Sequence, residues 1–355
     1  MSSVKLGVIG AGSWAISSHM PNFAKHEDVE FVAVARHGQE ALTRVKENFG
    51  FQHASEDYRD VLDSGANVVL VSSPSGLHYE HAKAAMEAGA NVLIEKPVTI
   101  DASQAWDLVE VAERTGRHIT CAFGWNFSPM LKRAKQLMMD IGIGQIEAVS
   151  IVMASQTREL LSNTGAYPEA DKDTVPENRT WTDPKLSGGG YGQAQLSHAF
   201  GMSLWLLDQR VQGAFALMKS VMGAPVDMHD AISLKYADDS IGTVFGASNH
   251  VGAANNRHQL VIAAYGDEGQ YRCDVERDQV WLYRPDGTEV DVDLPPDAGH
   301  YDCIGPVDTI VELTRGNDVP NDAPIELGAR TVEALELIYA SVRENRWIER
   351  VDSDR

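Results

Sequence analysis

Between residues 4 and 122 the chain repeats one unit: a short run of nearly continuous apolar residues, then an amphipathic stretch with helical spacing. The runs read VKLGVIG, EFVAVAR, NVVLVSS, NVLIEK and HITCAF. The stretches between them predict helices over residues 13–25, 39–49, 77–88 and 102–115. Strands apolar on both faces must be covered on both faces, which means a parallel sheet with helices on either side. Right-handed crossovers then give an α/β doubly wound (Rossmann) domain, whose ligands lie outside the carboxyl ends of the strands.

The first of those strand ends carries Gly10-Ala11-Gly12-Ser13-Trp14-Ala15 and opens straight into a helix. G-x-G-x-x-A in this context is a dinucleotide-binding turn. Gly10 makes the tight turn, Gly12 lets backbone approach a pyrophosphate, and Ala15 keeps helix and strand close. The N–H groups of Ser13 and Trp14 lie at the helix start, where partial positive charge favours phosphate. The second strand ends Val34-Ala35-Arg36-His37, without the carboxylate that would hold a ribose 2′-hydroxyl. Arg36 suits a 2′-phosphate, so this reading favours NADP, with NAD as the alternative. The fourth strand ends Ile94-Glu95-Lys96-Pro97. A lysine there, desolvated beside a cationic ring, has its pKa lowered and can accept a proton from a substrate hydroxyl.

After Phe123 the period changes. A helix over 128–139 leads into strands expected at 148–157, 214–222, 231–236, 242–250, 260–265, 280–284 and 290–294. Several alternate strictly, as in Ile232, Leu234 and Tyr236 against Ser233 and Lys235. Turn residues such as Arg284-Pro285-Asp286-Gly287 join them. The expectation is an α+β domain on a mostly antiparallel open sheet, whose second face can join subunits. The division is 1–123 for dinucleotide binding and 124–355 for substrate binding and oligomerisation. Gly188-Gly189-Gly190 leads into a helix over 192–207 that carries Gln193, Gln195 and His198. Trp125 and Asn126 follow the fifth strand, where the interdomain crevice should lie, and Arg158 is expected at the end of the first C-terminal strand. All six are candidate substrate contacts. The polar stretch 160–187 is too long for an ordinary connection and reads as functional or disordered.

Composition closes off other classes. A net charge of −21 on 355 residues disfavours nucleic acid and anionic membranes as partners. Cys121, Cys273 and Cys303 are odd in number and widely spaced, which argues against disulfides and a zinc site, so no metal is expected. No run approaches the ~20 apolar residues of a spanning helix. The first strand starts by Val4, leaving no room for a signal peptide, and the expected location is cytoplasmic.

The segment SSPSGLHYEHAKAAMEAGANVLIEKPVTID, with AFGWNFSP and GGGYGQAQLSH after it, resembles the glucose–fructose oxidoreductase, inositol dehydrogenase and MocA family. The resemblance runs through to the final helix. It implies two domains, dimers or tetramers through the C-terminal sheet, and NAD(P)-linked oxidation or reduction of sugars, cyclitols and their derivatives. It assigns proton transfer to Lys96 and places Glu95, Ser73, Pro74 and His78 along the cofactor. It matches His198 to a catalytic histidine. The aspartate often found four residues earlier is replaced by Ala194, which leaves the histidine's role open. Two rivals stand beside a dehydrogenase: a redox-neutral sugar-modifying enzyme that retains its nucleotide, and a non-catalytic dinucleotide sensor.

Overall fold

A computed structural model of the chain describes residues 3–165, 179–250 and 258–350. The first sheet has six parallel strands: β1 (Val4–Ile9), β2 (Val29–Ala35), β3 (His53–Ser55), β4 (Val68–Val71), β5 (Asn91–Ile94) and β6 (Ile119–Cys121). Their order is β3-β2-β1-β4-β5-β6, so the direction of winding switches between β1 and β4. β4 and β5 are buried at every position, as apolar strands covered on both faces must be. One face is covered by helices His78–Glu87 and Ala102–Thr115, which bury Ala82, Met86 and Leu108 against Val69, Val71 and Val92. The other is covered by residues 13–23 and by Gln39–Phe49, which bury Met20, Phe23 and Leu42 against Leu6, Val8 and Leu70.

A third helix shares that second face. Ile304–Arg315 arrives from the far end of the chain and buries Val307, Ile310 and Val311 in the same cluster. Sequence reading assigned it no element.

The second sheet has nine strands: β7 (Ile146–Ala154), β8 (Val211–Lys219), β9 (His229–Tyr236), β10 (Ile241–Ala247), β11 (Gln259–Gly266), β12 (Gly269–Asp274), β13 (Gln279–Tyr283), β14 (Glu289–Asp291) and β15 (Ile348–Glu349). The order is β14-β13-β12-β11-β7-β10-β9-β8-β15. Only the central β10–β7 pair is parallel; the other pairs are antiparallel. Ile232, Leu234, Tyr236 and Val244 face inward and are buried, while Ala231, Ser233, Thr243 and Phe245 face outward and are exposed. The inner face packs on Ser197–Leu207, buried along its whole length, and on the terminal helix Ile325–Glu344.

Strands begin and end a few residues from their expected places, because side-chain alternation fixes the face of a strand more tightly than its ends. β3, β12 and β15 were not expected at all. The helix expected over 13–25 ends at Phe23 and contains a π-helical turn, Ala15–His19. A second π turn, Gly192–Leu196, precedes Ser197–Leu207. Of the stretch 160–187, residues 166–178 lie outside the described residues. Its flanks form the short helices Arg158–Leu161, Arg179–Thr182 and Pro184–Ser187.

Candidate active site

The carboxyl ends of β1, β2, β4, β5 and β6 bring Gly10, Arg36, Ser73, Glu95 and Phe123 to one edge of the first sheet. Gly10 has φ +88°, and a Cβ there would lie 2.3 Å from the backbone nitrogen of Ser73. Only glycine fits where these two strand ends nearly touch. A Cβ on Gly12 would meet nothing within 4 Å. Open space above a glycine at a helix start, with Ser13 and Trp14 in the first helical turn, fits the pyrophosphate of a dinucleotide. Arg36 Nη1 donates to Ala11 O at 2.9 Å and Nε to His37 O at 3.3 Å, so the guanidinium is braced against the glycine turn. Among the described residues its Nη2 has no partner.

His78 joins the β4 end to the β5 end. Nε2 lies 2.7 Å from Ser73 O and Nδ1 2.9 Å from Pro97 O. Burial holds its pKa below the ordinary value, although the two carbonyls favour the charged ring. Ser73 Oγ lies 2.8 Å from Nδ1 of His81, whose pKa burial lowers to about 4. Pro74 N-caps the short turn Ser75–Leu77 between them.

At the tip of β5, Glu95 is a buried carboxylate whose Oε2 accepts the N–H of Lys96 at 3.0 Å. Its Oε1 lies 2.5 Å from Nε2 of His19, which is fully buried in the π turn of the first helix. Burial alone would lower the His19 pKa. The Cys303 thiol and the Glu95 carboxylate outweigh it and raise that pKa to about 10. Burial raises the pKa of Glu95, and the hydrogen bond and charge of His19 bring it below the ordinary value. Lys96 follows, in cis linkage to Pro97, and Nζ donates to Ala194 O at 2.8 Å. Burial holds its pKa below the usual lysine value, while Glu95 and Cys303 pull the other way.

His198 lies on the helix beyond Ala194. Its pKa falls well below the ordinary value, through burial first and then through the charge of Lys96. Among the described residues its Nδ1 is buried without a partner. Its ring packs edge-on against Trp125 and Tyr301, with centroids 5.2 and 5.1 Å apart. His258 packs on Trp125 at 5.4 Å, and its pKa is pushed down to about 3 by burial and by Lys96. Tyr301 packs on Trp14 at 6.0 Å and donates its hydroxyl to Ala122 O. Lys96, two neutral imidazoles and two aromatic rings thus meet beside the dinucleotide turn.

The remaining candidates are placed differently. Trp125 donates Nε1 to Gly299 O at 2.9 Å and is only 3% exposed, so its ring is wall rather than open platform. Asn126 gives its Nδ2 to the carbonyls of Gly201 and Asp322, which ties segments together. Gln193 is buried with Oε1 unpaired, whereas Gln195 is partly exposed. Arg158 opens a short helix instead of ending a strand, and its Nε meets the Met222 sulfur. None of its described contacts joins it to Lys96 or His198. Sequence reading passed over His19, His258 and Tyr301, and took Cys303 only as one of three widely spaced thiols. For His19 a signal existed: an ionisable residue on the stripe that buries Ala15, Met20 and Phe23. The others come from segments without a motif.

Among the described residues no group of three or more histidine, cysteine or acidic side chains could hold a metal, and all three cysteines are free and buried. No described helix is long and apolar enough to cross a membrane.

Comparisons with known proteins agree with this fold. The chain is 27% identical over 190 residues to D-glucoside 3-dehydrogenase of Escherichia coli, covering 53% of this chain and 50% of that one. It is 25% identical over 304 residues to D-xylose 1-dehydrogenase [NADP(+)] of Haloarcula marismortui, covering 82% and 79%. The first curated relatives are matched over about half their length. Among solved structures, levoglucosan dehydrogenase in complex with NADH and levoglucosan superposes with a TM-score of 0.79 at 18% identity, over 98% of this chain and 99% of that one; this likeness concerns the fold. Residues 4–123 match the oxidoreductase family with an NAD-binding Rossmann fold, and residues 131–272 match the GFO/IDH/MocA C-terminal domain. The chain belongs to the GFO/IDH/MocA family of oxidoreductases.

Proposed function

We propose that this protein is an NAD(P)-dependent dehydrogenase or reductase of a sugar, cyclitol or sugar derivative, with Lys96 as its proton-transfer residue. The observation that carries the reading is Lys96 itself: an amine at the carboxyl end of β5, beside the turn that accepts a pyrophosphate, with a pKa lowered by burial. Gly10, Gly12, Ser13 and Trp14 would hold the dinucleotide's phosphates, with Arg36 at the adenosine end and Ser73, Pro74, His78 and Glu95 along the nicotinamide half. Bound there, a nicotinamide supplies the hydride acceptor or donor. Lys96, as a neutral amine, takes the proton of a substrate hydroxyl when that carbon is oxidised and returns it in reduction. His198, neutral at physiological pH, orients the hydroxyl by a hydrogen bond. Ala194 offers Lys96 a carbonyl, which accepts a hydrogen bond but cannot take its proton.

Arg36 and the missing carboxylate at the end of β2 favour NADP over NAD, as in the xylose dehydrogenase relative whose name carries NADP(+). NADH in the levoglucosan dehydrogenase structure keeps NAD as the alternative. The exposed face of the nine-stranded sheet favours a homodimer or homotetramer.

The test is a panel of sugars, inositols and sugar acids with both nucleotides, read by nicotinamide absorbance. Lys96→Ala should lower kcat/KM by ~10²–10⁴-fold with nucleotide affinity preserved. Stoichiometric reduced nucleotide separates a dehydrogenase from a redox-neutral enzyme. Unchanged turnover in Lys96→Ala removes Lys96 from the chemistry.

A further inference from the structure

Beneath a second glycine turn, residues 188–192, two buried carboxyl groups, Asp227 and Asp230, interact through their side chains. Asp227 is 8% exposed and accepts three hydrogen bonds, which leaves one of the roughly four lone-pair sites of a carboxylate open. Its Oδ1 accepts the N–H of Gly190 at 2.8 Å and the hydroxyl of Tyr339 at 2.9 Å; its Oδ2 accepts the N–H of Gly192 at 2.8 Å. Its carbonyl accepts the N–H of Tyr191 at 2.9 Å. Asp230, on β9, is 1% exposed, and among the described residues neither of its side-chain oxygens meets a donor. Its polar neighbour is the Asp227 carboxyl. The space is closed from the β10 side, where a Cβ on Gly246 would lie 3.1 Å from Asp230 Oδ2 and 3.0 Å from the Tyr191 ring.

Two buried acceptors side by side, with no cation beside them among the described residues, cannot both be ionised. A metal does not resolve the conflict, because among the described residues no third histidine, cysteine or acidic side chain joins the two to form a metal-binding group. We propose that Asp227 and Asp230 share one proton, carried on Asp230 and donated to Asp227, and that this pair is the strut fixing the glycine turn under the active site. The turn it holds carries Gln193, whose N–H donates to Tyr339 Oη at 3.2 Å, and Ala194, whose carbonyl receives Lys96 Nζ. Asp230 is therefore a positioning residue that acts on Lys96 through the backbone between Gly190 and Ala194.

The groups around the pair agree. Burial raises the Asp230 pKa well above the carboxylate range, and the charge of Asp227 adds to it. Tyr339, from the terminal helix, is raised well above the usual phenol by burial and by both acids. Tyr191, from the turn, is held by Ser155 Oγ and donates to Met153 O. The strand neighbours of Asp230, Met218 and Gly246, carry no charge. Loss of the shared proton at high pH would place two like charges in contact, and the turn, with the acceptor of Lys96, would loosen.

The experiment uses the full chain and two variants. Asp230→Asn offers Asp227 an N–H that cannot ionise; Asp230→Ala offers none. At neutral pH the infrared difference between wild type and Asp230→Asn should show the C=O stretch of a neutral carboxylic acid, and this band should fade at high pH. Asp230→Asn should keep neutral-pH activity and hold it into the alkaline range where the wild type declines. Asp230→Ala should lose about tenfold in kcat/KM, as expected when a buried acceptor is left short of a donor. Absence of the acid band overturns the shared proton. A band with an unchanged alkaline limb in Asp230→Asn overturns the link to the site. The activity arm rests on the dehydrogenase reading; the infrared arm does not, so a protein that turns over no substrate would fail that reading and still answer the question of the proton.

Discussion

An amine serves as a base near neutral pH only when its surroundings disfavour its charged form. For Lys96 burial does this, and the Glu95 carboxylate partly undoes it. Glu95 is ionised in turn because His19 sits 2.5 Å away. The chain of influence runs from a helix residue through a carboxylate to the amine, and each link can be tested. Oxidation needs the neutral amine, so kcat/KM should rise with pH through the pKa of Lys96. Glu95→Gln removes the negative charge that favours the ammonium, so this acidic limb should move to lower pH; a shift to higher pH contradicts the arrangement. His19 makes a second prediction, about stability. Its folded pKa of about 10 lies above its ordinary 6.5, so the stabilisation from its charge is complete below 6.5 and lost as pH rises through about 10. His19→Gln should destabilise the protein at neutral pH by about 3–5 kcal/mol, as when one partner of a buried ion pair is removed. The gap in unfolding midpoint between wild type and variant should close as pH is raised towards 10; a constant gap would mean that packing alone is at stake.

At the scale of elements, the two glycines of the first turn do different work. A Cβ on Gly10 collides with backbone, and a Cβ on Gly12 collides with nothing in the protein. Gly10→Ala should therefore lower the unfolding midpoint. Gly12→Val should leave it near wild type and weaken nucleotide binding at least ~tenfold by occupying the pyrophosphate's space, as calorimetry would measure. Equal effects of the two substitutions on stability would refute this division. The same turn was legible in the sequence because strand, glycines and helix are contiguous, and β4 and β5 were legible because full burial leaves VVLV wholly apolar and NVLI apolar after its hydrogen-bonded Asn91. Less local features were not. β3 is His-Ala-Ser and owes its place to pairing with β2. The π turns shift hydrogen bonds by one residue without a composition of their own, yet they set His19 against Glu95 and the Ala194 carbonyl against Lys96. His19 and Glu95 are 76 residues apart, and Gly190 and Asp227 are 37 apart. No period or spacing encodes such contacts; they exist only once the sheets have formed.

At the scale of the whole molecule, the nine-stranded sheet has helices on one face and side chains without described cover on the other. Leu217, Ala231, Phe245, Val152 and Val261 lie in one row across β8, β9, β10, β7 and β11. Ile241, Ala148 and Tyr265 lie in a second row. Leu217 is 60% exposed, Ile241 62%, Phe245 49% and Tyr265 47%. Two apolar rows, with Ser233, Thr243 and Ser150 between them, suit an interaction surface, and a stable interface needs about 800 Å² from each partner. A second copy of the same sheet would present the same apolar rows, and a two-fold contact would bury both at once. The net charge of −21 favours separated subunits, so apolar burial must outweigh that repulsion, and the repulsion is screened by salt. Phe245→Lys puts a cation at the centre of the row while leaving the inner face and the active site untouched. Sedimentation should show an oligomer for the wild type and a monomer for the variant, with circular dichroism unchanged and wild-type association strengthened as ionic strength rises. An oligomer that survives Phe245→Lys with the same mass would place the subunit contact elsewhere on the molecule.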